Sequence, residues 1–257
     1  MSIDVVVADG ICTIVINRPE RMNAMDAEHY KALSQAWTRV RDDSAIRCAI
    51  ITGAGERAFS AGADIKSYLT APKPLSEMWL TQQDQLLNRG LEVWKPIIAA
   101  VNGYCLAGGM TLLLATDIRI AAEHATFGVA EVKRGIIPGN GGSQRILDQL
   151  PYAIAMELLL TGDTLDAARA AHFGLVNRVV PKETLMEAAR EYAVRIAANA
   201  PLAVQAAKEL AVRSREMDRV TGFRVESLVQ RLLQFSDDAR EGPAAFAEKR
   251  KPDFRGA

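Results

Sequence analysis

The stretch KPIIAAVNGYCLAGGMTLLLATDIRIAA, residues 95–122, decides the class of fold. Ile97–Val101 is a short run of β-branched and small apolar residues, stopped by Asn102-Gly103, and predicts a buried strand. Gly108–Ala115 has the composition of a short apolar helix, and Asp117–Ala122 predicts the next strand. Strand, helix and strand within 28 residues is the signature of an α/β chain.

The same alternation extends towards the N-terminus. Ile3–Ala8 and Ile11–Asn17 predict two strands joined at Asp9-Gly10, a hairpin signal. Asp26 is placed to cap a helix that carries Tyr30, Leu33, Trp37 and Val40 on one face, and Cys48–Thr52 predicts a strand ending at Gly53. The leucines and tryptophans of Pro74–Trp94 are spaced as in a helix, with Pro96 as its stop. From Pro151 onwards the pattern predicts helices only: Pro151–Leu160, Lys182–Asn199, Pro201–Met217, Val220–Phe235 and Asp237–Lys249. Phe223, Leu228, Leu232 and Phe235 form an apolar stripe suited to an interface.

Composition removes several classes of function. Of 257 residues, 49% are hydrophobic and 24% charged, which is globular rather than disordered. Lys plus Arg and Asp plus Glu are both 31, so no general electrostatic attraction for nucleic acid or an anionic membrane exists. The longest apolar run, Tyr104–Ala115, is too short for a bilayer and is interrupted by Gly108, Gly109 and Thr111. The N-terminus MSIDVVVADG lacks the basic start of a signal peptide, so a soluble, cytoplasmic protein is expected. Cys12, Cys48 and Cys105 sit far apart among apolar neighbours and predict buried free thiols; His29, His124 and His172 form no metal spacing. No glycine pattern of the dinucleotide or phosphate-loop type follows a strand.

Two glycine-punctuated turns are candidates for chemistry: AFSAGADIK (58–66) and VNGYCLAGGM (101–110). Small residues let a ligand approach the backbone, and the N–H of Gly108 at a helix start has no intrahelical partner, so it can face a developing negative oxygen.

These turns, with FGVAEVKRGIIPGNGGSQR (127–145) and the tail EGPAAFAEKRKPDF (241–254), resemble the crotonase superfamily, the enoyl-CoA hydratase/isomerase family, in order and over essentially the whole chain. The resemblance implies a spiral of β-β-α repeats followed by a helical trimerisation region. Residues 1–199 would form the core with the acyl-CoA site and 200–257 the oligomer interface, as a homotrimer or a hexamer made of two trimers. It implies an acyl-CoA substrate whose enolate is held by the N–H groups of Ala63 and Gly108. It also implies CoA contacts from Ala61, Asp64, Ile65 and Lys66, and from Lys249 towards a neighbouring subunit, with no separate cofactor and no metal.

By the same resemblance Glu131 is the acid/base group, and its apolar neighbours would raise its pKa by desolvation. A second family carboxylate is replaced by Thr111, whose hydroxyl can position a water or substrate group but does not exchange protons near neutral pH. Asn140 lies where other members carry an acid and is a second candidate positioning residue. One carboxylate suffices to move a proton between C4 and C2, so isomerisation of a 3-enoyl-CoA to a 2-enoyl-CoA is the expected reaction. Enoyl-CoA hydration, a carnitinyl-CoA-type dehydration or racemisation, and a non-catalytic CoA-binding scaffold are the alternatives. Turnover separates a scaffold from an enzyme.

Overall fold

A computed structural model describes residues 2–68 and 85–257. At the N-terminus β1 (Ile3–Ala8) and β2 (Ile11–Ile16) pair antiparallel. Asp9 and Gly10 between them both have positive φ, 53° and 74°, as a two-residue hairpin of type I′ requires. The Asp26 carboxylate accepts the His29 N–H at 3.2 Å and starts α1 (Ala27–Asp42), which buries Leu33, Trp37 and Val40.

Three turns of a spiral follow, each laying one strand in each of two sheets. The first contributes β3 (Cys48–Gly53) and β4 (Ala58–Ser60), then the short α2 (Ile65–Tyr68). The second contributes β5 (Ile97–Val101) and β6 (Tyr104–Leu106), then α3 (Gly108–Leu113). The third contributes β7 (Ile118–Ala122) and β8 (Thr126–Gly128), then a 3₁₀ turn at Ala130–Arg134, α4 (Gly142–Gln149) and α5 (Tyr152–Thr161). The chain returns through β9 (Thr164–Asp166), α6 (Ala167–His172) and β10 (Arg178–Val180). One sheet has the order β1-β2-β3-β5-β7-β10, parallel throughout except for β1–β2; the other has the order β4-β6-β8-β9, with only β9 antiparallel.

β3 and β5 are buried at every residue, as continuous apolar runs in a covered parallel sheet should be. One face of the six-stranded sheet packs Ile50, Ile98, Ala100 and Ile120 against Leu185, Ala188, Ala189 and Ala193 of α7 (Leu185–Ala197). The other face packs with α1 and the second sheet in the main core, which includes Trp37, Phe59, Met110 and Phe127. Cys12, Cys48 and Cys105 are all buried and free, and burial pushes the Cys12 and Cys48 thiols up to about 11 and about 12.

The chain ends in α8 (Pro201–Arg213), α9 (Arg219–Leu233) and α10 (Asp237–Ala247). Lys208 ties α8 to the body, its ammonium 2.7 Å from Asp117. The tail motif folds back on α10: the Asp238 carboxylate accepts the N–H groups of Arg255 (2.7 Å) and Gly256 (2.9 Å), and Glu241 pairs with Arg250. None of the described helices is long and apolar enough to cross a membrane.

Two sequence expectations need correction. The region after Pro151 is not helical throughout, because it supplies β9 and β10. Strands of three residues are too short for an alternation to register, and their partners lie far away in the chain. The helix expected over Pro74–Trp94 falls partly outside the described residues, and 85–94 is not helical but holds a turn at 87–90, in which Leu86 O accepts the N–H groups of Arg89 (2.8 Å) and Leu91 (3.1 Å). Gly90 at φ 82° breaks the helical path there, while Leu86, Leu91 and Val93 still bury themselves.

Candidate active site

The parallel strands β4, β6 and β8 end side by side, and Ala63, Gly108 and Glu131 each follow one of those ends within three residues. Convergence at the carboxyl ends of parallel strands is where α/β sheets place ligands.

Ala63 forms a parallel bridge with Met25. In it Met25 N–H donates to Gly62 O (2.7 Å) and Asp64 N–H donates to Met25 O (2.9 Å). This geometry turns the N–H of Ala63 itself to the opposite side. Gly108 opens α3, where an N–H has no intrahelical acceptor. Neither N–H finds an acceptor among the described residues. The two turns touch: a Cβ added to Gly62 would lie 2.5 Å from Gly108 N, and one added to Gly108 would lie 3.3 Å from Ala63 N. Glycine is therefore required for the close approach, which sets the two unclaimed donors on adjoining turns.

Asn23, a residue the sequence reading passed over, holds the first turn. It is buried, its amide donates to Ala54 O (3.0 Å) and Ala58 O (2.6 Å), and its backbone carbonyl accepts the Ser60 hydroxyl at 2.8 Å. Ser60 Oγ in turn accepts the Gly62 N–H at 3.1 Å.

Glu131 lies in the 3₁₀ turn after β8 and is 9% exposed. Its cationic neighbours are engaged elsewhere: Lys133 pairs with Asp163 at 2.8 Å, and Arg134 donates to Ala130 O at 3.2 Å. Its Oε2 is buried with no partner among the described residues. Desolvation raises its pKa above the ordinary carboxylate range, opposed more weakly by a backbone N–H and by Arg134.

Thr111 sits one turn into α3 and is 2% exposed; its hydroxyl donates to Gly108 O (3.1 Å) and accepts from the side-chain amide of Asn88 (3.2 Å). Asn88, also buried, was not foreseen. Asn140 is an exposed turn residue at φ 54° whose backbone carbonyl accepts from Arg145 (2.8 Å), a geometry that explains the asparagine without a ligand.

Ala61 and Asp64 lie in the turn between β4 and α2, and Ile65 and Lys66 open α2. Ala61 is half-buried, Ile65 and Lys66 are exposed, and the Asp64 carboxylate meets Arg18 at 3.1 Å while accepting the Lys66 N–H at 3.2 Å. Lys249 is exposed at the end of α10, at φ 56°.

Comparison with known proteins bears on this arrangement. Residues 7–257 match the profile described as Enoyl-CoA hydratase/isomerase. The chain is 40% identical over 257 residues to (E)-benzylidenesuccinyl-CoA hydratase of Thauera aromatica, covering 100% of both sequences. It is 40% identical over 252 residues to carnitinyl-CoA dehydratase of Proteus mirabilis, covering 96% of this chain and 95% of that protein. Its fold superposes on the crystal structure of an enoyl-CoA hydratase from Mycobacterium marinum with a TM-score of 0.92 at 40% identity, over 100% and 99% of the two chains.

Proposed function

The chain belongs to the enoyl-CoA hydratase/isomerase family and is an enzyme of the crotonase superfamily, and we propose that it adds water to, or removes it from, the C2–C3 bond of an acyl-CoA. The observation that carries this reading is the buried carboxyl of Glu131, whose Oε2 has no partner among the described residues, at the same end of the second sheet as two backbone N–H groups without an acceptor there. In the direction of dehydration, Ala63 and Gly108 donate to the thioester oxygen while the Glu131 carboxylate takes a proton from C2. The bonding pair moves towards that oxygen, where preorganised donors stabilise it; removing one such donor typically costs about 3 kcal/mol. The enolate then re-forms its carbonyl and a C2=C3 bond, and the C3 hydroxyl leaves with the proton that Glu131 returns, as water. One carboxylate serves both proton transfers, and hydration is the reverse. The reaction so written needs nothing beyond the CoA thioester and water. The relatives named as a hydratase and a dehydratase support this direction of reading.

A second reading, isomerisation of a 3-enoyl-CoA to the 2-enoyl-CoA, is favoured by Thr111. Its only hydroxyl proton is committed to Gly108 O, which leaves Glu131 as the proton carrier among the described residues of the site. Incubation with 2-enoyl- and 3-enoyl-CoA esters in D₂O, with products resolved by mass spectrometry, decides between them. A 3-hydroxyacyl-CoA deuterated at C2 is the expected product. Clean conversion of the 3-enoyl ester with no hydroxylated product would replace hydration by isomerisation. Binding without turnover would indicate a scaffold.

In this reading the segment bearing Ala61, Asp64, Ile65 and Lys66 receives the CoA moiety, and Lys249 reaches CoA on a neighbouring subunit. Val220, Phe223, Leu232 and Phe235 are 79%, 62%, 71% and 80% exposed in the single chain, an apolar surface suited to association. Light scattering should therefore find three or six chains per particle; a monodisperse monomer would exclude this assembly.

A further inference from the structure

Five buried side-chain atoms have no hydrogen-bond partner among the described residues, and two of them, Glu131 Oε2 and Asn88 Oδ1, belong to groups tied to this site. The proton count at Thr111 explains why Asn88 Oδ1 is orphaned. A threonine hydroxyl has one hydrogen, and here Gly108 O accepts it. Towards Asn88 the hydroxyl can therefore only accept, which requires the amide nitrogen to face it at 3.2 Å and turns the amide oxygen away. With the hydroxyl hydrogen on Gly108 O, the amide oxygen of Asn88 is left without a donor. Asn88 is 7% exposed, so its oxygen is out of reach of bulk water, and a buried acceptor left unmatched is unfavourable.

We propose that Asn88 is a positioning residue whose side-chain carbonyl receives the hydrogen of the C3 hydroxyl, or of the water that adds at C3. This rests on the hydration reading above. An acceptor has no use for the thioester oxygen, the CoA phosphates or a hydrocarbon chain, none of which offers a hydrogen; a hydroxyl or a water does. A water carries two hydrogens, one for Asn88 Oδ1 and one for Glu131, and so presents a lone pair to C3. The amide aligns the oxygen and exchanges no proton, and Glu131 carries the proton. The Asn88–Thr111 pair thus occupies, as a neutral clamp, the place at α3 where, by the family resemblance, other members carry a second carboxylate. The acyl groups it suits are those that carry a hydroxyl at C3 or acquire one.

The test compares two reactions of the same protein. Hydration is followed with but-2-enoyl-CoA and cinnamoyl-CoA. Exchange of the C2 hydrogens for deuterium is followed with the saturated counterparts of both, and this requires Glu131 and the two backbone N–H groups but no oxygen at C3. Asn88→Leu should lower the ratio of hydration to exchange by ~10²-fold, the scale of misplacing a reacting group. Asn88→Asp, which keeps an acceptor of the same shape, should hold that ratio to within ~10-fold. A merely structural role for Asn88 would lower both reactions together and leave the ratio unchanged, which would overturn the proposal. An Asp variant as impaired as the Leu variant would overturn it too. Failure of the hydration reading shows separately, in the wild type: C2 exchange or isomerisation with no 3-hydroxyacyl product from either ester.

Discussion

Glu131→Gln lowers turnover by about 10⁴-fold, the upper range for loss of a general acid/base, while the affinity for a saturated acyl-CoA changes little. Glutamine preserves the shape of the side chain and removes only its proton exchange. The same substitution should make the protein more stable at neutral pH, because it removes a carboxylate that burial disfavours. Below the ordinary carboxylate range Glu131 is protonated in both the folded and the unfolded chain, so the two proteins should be equally stable. As pH rises, the unfolded chain ionises first while the folded one resists, and stability is lost through the raised folded pKa. Above it the wild type carries the full penalty, and the variant should lead by about 1 kcal/mol, typical for removing functional strain. Steady-state kinetics, calorimetric binding and denaturation between pH 4 and pH 8 check the three parts. Undiminished turnover would remove Glu131 from the chemistry; equal stability at pH 7 would mean that its burial is relieved by a partner.

How much of this could be read from the chain depended on the range of the interactions. The Asp9-Gly10 hairpin, the Asp26 cap and the buried runs of β3 and β5 are decided by neighbouring residues, and they stand as the sequence predicts. The second sheet is different. β4, β6, β8 and β9 are three residues each, and what makes them strands is their lateral partners, not their own pattern. Ala63, Gly108 and Glu131 were nominated through motifs, and the topology brings them to one end of that sheet. Asn88 and Asn23 carried no such signal. An asparagine in QLLNRG reads as a polar turn residue, and its meaning comes from Thr111, 23 positions away. Asn23 likewise acts on Ala58, 35 positions away. Side chains that satisfy distant backbone or hydroxyl groups are visible only once the fold exists.

Gly62→Ala should be among the most damaging single-methyl changes in the protein, and for two separable reasons. Gly62 has φ 88°, where an L-residue is strained by about 1–2 kcal/mol. Its new Cβ would also fall 2.5 Å from Gly108 N and 3.1 Å from Ala107 Cβ and Gly108 Cα. Backbone cannot swing aside as a flexible side chain can, so the turns carrying Ala63 and Gly108 must part, at a further ~1–3 kcal/mol. Parting them also spoils the paired donors, with a fall in kcat of ~10²–10³-fold expected even in the folded fraction. Gly174→Ala supplies the control, since Gly174 has a comparable φ of 78° but nothing within 4 Å of an added Cβ. It should cost only the conformational part, about 1 kcal/mol, and leave turnover intact. Chemical denaturation and kinetics of the two variants therefore separate strain from apposition. If Gly62→Ala proved no worse than Gly174→Ala in both measurements, the two turns would not be in contact, and Ala63 and Gly108 could not share one oxygen. If stability alone fell further while kcat held, the contact would be real and the donors would lie elsewhere.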